Sequence, residues 1–134
     1  MKQDESNLKK NLSNDNGLLH TLWLNIDRKC NLRCEWCYAK MTDYENHDMT
    51  IETVKKCVAL AAELGADSGV LIGGEPTLHA DLFEIIRIVQ LAGLRPCLVT
   101  NGIKFSEKEF LRKTIDAGLA SITVTVHRHA GGNL

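Results

Sequence analysis

Apolar residues along this chain fall into short strand-length runs that alternate with longer stripes at helical spacing. Leu22-Trp23-Leu24-Asn25-Ile26 reads as a first strand. A polar stretch then continues to Met49, and Thr50 is placed to cap a helix over 51–64. Val54, Cys57, Val58, Ala61 and Ala62 share one face of that helix, and Gly65 ends it. Gly69 to Ile72 forms a second strand. Asp81 and Glu84 have the spacing of a capping box before a helix over 82–92, with Phe83, Ile86, Val89 and Gln90 in helical register and Gly93 as its stop. Pro96 to Thr100 is a third strand and turns at Asn101-Gly102. Ser106 and Glu109 predict another capping box for a helix reaching Ala117, with Gly118 after it. Ser121 to Val126 is a fourth strand.

The order is strand and helix in strict alternation. After the first interval, strands recur about every 25 residues, a spacing suited to crossover helices and a parallel α/β sheet. Residues 1–20 begin with a polar run, Met1 to Asn16, and are expected to form a mobile leader, with residues 21–134 as the core domain. The Cys30–Cys37 loop, Gly73–Pro76, Asn101-Gly102 and His127 all follow the carboxyl ends of predicted strands. That edge of a parallel sheet is where α/β folds bind ligands, so four separate segments converge on one mouth.

Composition narrows this little: 134 residues, 44% hydrophobic and 25% charged, are those of an ordinary globular chain. A net charge of −1 gives no basic footprint for nucleic acid or an acidic membrane surface. The opening residues lack the order of a signal peptide, and no apolar run has the length of a membrane span. A cytoplasmic location is the expectation. There, five cysteines favour metal or redox chemistry over disulfides. Cys57 and Cys97 stand apart in apolar segments, as small buried hydrophobes do.

The other three cysteines share one loop, Cys30-Asn31-Leu32-Arg33-Cys34-Glu35-Trp36-Cys37, spaced C-x3-C-x2-C. Three thiolates can hold an iron–sulfur cluster with one iron left open. They can also bind zinc with His47 or His79 as fourth ligand, or be structural. Gly73-Gly74-Glu75-Pro76 brings backbone close to a ligand, with Glu75 offering a carboxylate to an ammonium; a Gly-Gly turn with a solvated glutamate is the plainer alternative. It is neither a phosphate loop nor a dinucleotide fingerprint. In the fourth strand Thr123, Thr125 and His127 alternate with Ile122, Val124 and Val126, so its polar face looks either into a ligand cavity or into water. Trp36 and Tyr38 flank Cys37, placed to shield a cluster, stack on an adenine or pack the loop.

Together, Cys30-x3-Cys34-x-Trp36-Cys37 and Gly73-Gly74-Glu75-Pro76 resemble the two signatures of radical S-adenosylmethionine (radical SAM) enzymes, and Asn101-Gly102 resembles the turn after that family's third strand. The resemblance spans Thr21 to His127. It implies a partial TIM-type (β/α)6 barrel, of which this chain carries the first four strands. Cys30, Cys34 and Cys37 would ligate a [4Fe–4S] cluster. Gly73, Gly74 and Glu75 would hold the SAM ammonium, Trp36 would lie against the cofactor, and Thr123 or Thr125 would lie near the SAM ribose or carboxylate. The implied reaction is reductive cleavage of SAM to a 5′-deoxyadenosyl radical that abstracts a substrate hydrogen, an oxidoreductase-type chemistry fed by a flavodoxin or ferredoxin. The wording of the motifs is closest to the peptide- and protein-modifying maturases. The family core is longer, so a truncated or split core is expected. A non-catalytic iron–sulfur or zinc fragment that pairs with another subunit is the alternative.

Overall fold

The computed structural model describes residues 18–37 and 48–126. Its strands are β1 (Thr21–Asp27), β2 (Ser68–Gly73), β3 (Arg95–Thr100) and β4 (Ser121–Val124), joined by α1 (Ile51–Glu63), α2 (Leu82–Leu91) and α3 (Lys108–Asp116). They form one sheet in the order β1-β2-β3-β4, parallel throughout. The predicted alternation and the parallel sheet are both present. β4 ends two residues short of the expected Val126, although Thr125 N–H still reaches Thr100 O at 3.0 Å.

Register explains which face holds the core. Leu24, Leu71 and Leu98 lie opposite one another across the first three strands and are at most 3% exposed. They meet Val54, Val58, Ile85, Ile86 and Val89 from α1 and α2 in one hydrophobic cluster. The opposite face carries Trp23, Asn25, Ile72, Val99 and Thr123, which are half-buried or exposed. The helices thus cover one face and leave the other open, the arrangement a partial barrel requires. Phe83 and Phe105 each pack on Phe110, with ring centroids 5.3 Å and 5.4 Å apart, tying α2 to α3.

Thr50 caps α1 as expected, its Oγ1 accepting Thr53 N–H at 3.2 Å, and Gly65 follows the helix at φ 90°. Neither predicted capping box forms. Asp81 makes no side-chain cap; its N–H donates to His79 Nδ1 at 3.0 Å, and Leu82 N–H is met by His79 O at 3.2 Å. A short 3₁₀ turn, Pro76–Leu78, thus delivers the chain to α2 with the amides of Asp81 and Leu82 satisfied by His79. A second 3₁₀ turn, Ile103–Ser106, precedes α3, and Glu107 N–H donates to Lys104 O at 3.1 Å. Ser106 Oγ turns back to Ile103 O at 2.9 Å, and Glu109 pairs with Arg112 instead.

The chain before β1 is bound earlier than the leader boundary at residue 20. Leu18 and Leu19 N–H both donate to Leu64 O, and His20 O accepts from Asp67 and Ser68. The remaining leader, Tyr38, His47 and His127 lie outside the described residues.

Candidate active site

β1 carries an irregularity between Asn25 and Asp27 just before the cysteine loop. The bulge breaks the alternation of faces, so Ile26 and Asp27 are both fully buried. Asp27 O then accepts Gly74 N–H at 3.0 Å, and Lys29 O accepts Glu75 N–H at 2.6 Å. The exit of β1 and the Gly73–Glu75 turn therefore lie backbone to backbone. A Cβ on Gly73 would sit 2.1 Å from Asp27 Oδ1, and one on Gly74 would sit 2.3 Å from Lys29 O. This contact with the chain's own segment requires both glycines.

Glu75 corrects the plainer alternative above, that of a solvated glutamate. It is 1% exposed. Its Oε1 accepts Thr77 N–H at 3.2 Å, Thr77 Oγ1 at 2.7 Å and Thr100 Oγ1 at 2.5 Å, and its Oε2 accepts Asn101 N–H at 2.8 Å. Oε1 is saturated, whereas Oε2 keeps an acceptor position. Glu75 thus fastens its own turn to the end of β3. Sequence reasoning placed Thr100 in the third strand and missed this use of it. The signal was a polar residue ending an otherwise apolar strand.

One cavity of about 440 Å³ collects most of the expected site. Cys30, Cys34, Trp36 and Cys37 line it from the loop, Gly73, Gly74 and Glu75 from the turn, and Thr125 from the end of β4. Ile72, Val99 and Leu32 supply apolar wall. The size suits a small molecule or cofactor. Thr123 does not line it; it lies one step down the open face, opposite Val99.

Among the described residues, no three of His, Cys, Asp and Glu converge as ligands of a single ion. His79, weighed above as a zinc ligand, has both ring nitrogens engaged. Nδ1 accepts from Asp81 N–H, so Nε2 carries the proton and donates to Met49 O at 3.1 Å. Three soft thiols around one roomy cavity fit a polynuclear iron–sulfur group better than a single zinc ion. Burial pushes the Cys30 thiol up, against the favourable Leu32 N–H at 3.4 Å, with Glu75 and the other two cysteines adding to the rise. Binding a metal there must release that proton.

Asp27, absent from the sequence reading, is the other electrostatic feature. Neither of its oxygens has a hydrogen-bond partner, and its carboxyl is pushed up to about 7. Burial is the main cause, followed by the charges of Asp48 and Glu75; Lys29 and the nearby Gly74 amide oppose them. Lys29 is itself paired with Asp48 at 2.9 Å.

Residues 24–128 match the Radical SAM superfamily, and the chain belongs to it. It is 37% identical over 115 residues to a GTP 3′,8-cyclase of Aquifex aeolicus (strain VF5), covering 81% of this chain and 35% of that one. It is 32% identical over 103 residues to an Fe-coproporphyrin III synthase of Methanosarcina barkeri (strain Fusaro / DSM 804), covering 76% and 26%. The chain thus spans between about a quarter and about a third of the length of these curated relatives. In fold it is similar to BtrN in complex with AdoMet and 2-DOIA, with a TM-score of 0.65 at 21% identity over 88% of this chain and 49% of that one. The four-stranded sheet is the corresponding part of that α/β architecture.

Proposed function

We propose that this chain forms the cluster- and SAM-binding half of a radical SAM enzyme core. The observation that carries the reading is the single cavity lined by all three loop cysteines and by the Gly73–Glu75 turn. Cys30, Cys34 and Cys37 serve as the cluster ligands. Glu75 Oε2, with its remaining acceptor position, meets the SAM ammonium together with the backbone of Gly73 and Gly74. Trp36 closes the outer side of the cavity, and Thr125 faces the ribose or carboxylate of SAM from β4; Thr123, outside the cavity, is the weaker of the two strand-four candidates. When bound, the cluster and SAM supply a 5′-deoxyadenosyl radical that removes a substrate hydrogen, with the electron coming from a flavodoxin- or ferredoxin-type donor. The protein's own part is to orient these groups and exclude water with the apolar wall of Ile72, Val99 and Leu32. A peptide or protein substrate rests on the wording of the two motifs alone, since the relatives described above are not named for peptides. The cytoplasm, where such thiols stay reduced, is the fitting location.

Anaerobic reconstitution with iron and sulfide tests the reading. About four irons per chain are expected. The reduced chain's electron paramagnetic resonance (EPR) spectrum changes when SAM is added, and 5′-deoxyadenosine is released. Cys34→Ala abolishes cluster uptake. Stoichiometric zinc without iron, or a full cluster in Cys34→Ala, overturns it.

A further inference from the structure

Asn101 follows β3 and lines the cavity, yet the reading above gives it no part. Its amide orientation is settled by chemistry. Oδ1 accepts Ile103 N–H at 3.1 Å, which leaves Nδ2 as the donor, and Nδ2 reaches Asn31 Oδ1 at 2.7 Å across 70 positions of sequence. The backbone N–H of the same residue donates to Glu75 Oε2. Asn101 therefore joins the exit of β3, the Gly73–Glu75 turn and the cysteine loop at one point.

The loop needs such a joint. Residues 28–37 contain no helix or strand. Lys29 O, accepting Glu75 N–H at 2.6 Å, ties the first residues of the loop to the turn, and Leu32 N–H to Cys30 Sγ, Arg33 to Cys30 O at 2.7 Å and Cys37 N–H to Cys34 O at 3.1 Å shape the part that bears the cysteines. Asn31 stands between Cys30 and Cys34, where a tether to the sheet moves both thiols together.

We propose that Asn31 and Asn101 form a latch that sets the height of the cysteine loop over the Gly73–Glu75 turn. Asn101 is thereby a positioning residue: it fixes the distance between the three thiols and Glu75 Oε2. This role rests on the cofactor reading above, whereas the latch itself does not. The bond is exposed, so its loss leaves the buried core intact and changes geometry.

Two variants of Asn31 test the bond. Asn31→Ala removes the acceptor of Asn101 Nδ2 and breaks the latch. Asn31→Asp keeps the acceptor and the bond. In the apoprotein, amide hydrogen exchange across residues 28–37 is expected to be about fivefold faster in Asn31→Ala, as for loss of one hydrogen bond, and unchanged in Asn31→Asp. Equal exchange in Asn31→Ala and wild type overturns the latch. In the reconstituted chain both variants hold the wild-type iron content. The SAM concentration that half-saturates the EPR change rises roughly three- to tenfold in Asn31→Ala and stays within about twofold in Asn31→Asp. Equal shifts in the two variants mean that the bond is not responsible, and overturn the positioning role. A wild-type spectrum that ignores SAM overturns the cofactor reading and the positioning role with it, while the exchange result still decides the latch.

Discussion

Asp27 shows how far one buried side chain can be set apart by its surroundings. Its carboxyl has no hydrogen-bond partner and titrates near 7, so the folded chain holds a proton there that the unfolded chain releases near 4. Its contribution is fully present below about pH 4 and is lost as pH rises to about 7, because the folded state binds more protons across that window. Relative to Asp27→Asn, the wild-type apoprotein is expected to lose stability over this range, on the order of 4 kcal/mol at most, and to run level with it above. Urea unfolding of both proteins at several pH values checks this, and parallel curves would refute it. Nothing in the sequence distinguished Asp27 from a solvated aspartate after a strand. Its burial follows from the bulge beside it, and a bulge is a property of strand pairing. Cys30, Cys34 and Cys37 were legible because their spacing within one loop is itself the signal. Thr100 and Asn101 were legible only as strand end and turn, since their partners Glu75 and Asn31 lie 25 and 70 positions away.

At the scale of elements, helix positions were readable and helix starts less so. Apolar periodicity placed all three helices to within about two residues, because it reports which face is buried. The capping boxes at Asp81 and Ser106 failed for a common reason. In each case a 3₁₀ turn leads into the helix and engages the groups at its start: His79 satisfies the amides of Asp81 and Leu82, and Ser106 Oγ is spent on Ile103 O. Among the described residues no such turn precedes Thr50, which caps by its hydroxyl. Thr50→Ala is therefore expected to cost about 1 kcal/mol, and Asp81→Ala less than about 0.5 kcal/mol. Chemical denaturation of the two variants measures the difference; equal costs would contradict the assignment.

For the molecule as a whole, the decisive fact is that one sheet edge gathers the site while another stays open. Among the described residues β4 pairs on one side only, with Ile122 and Val124 36% and 51% exposed on the side that bears the core elsewhere. An unpaired apolar edge is a template for association. The chain by itself is expected to self-associate at high concentration, and Val124→Lys to shift it toward monomer in sedimentation velocity; a monomeric wild type would dispose of this account. The sequence alone determined the alternation of strand and helix, the parallel sheet and the three thiols, because periodicity and spacing are local and the carboxyl edge of such a sheet is a fixed place. Only the tertiary structure decided that the glycines answer to Asp27 and Lys29, that Glu75 ties its turn to β3, that Asn101 bonds to Asn31 of the cysteine loop, and that Asp27 is buried. Each of these depends on a contact between segments far apart in the chain, set by strand register and a bulge, and such contacts leave no pattern in the residues that make them.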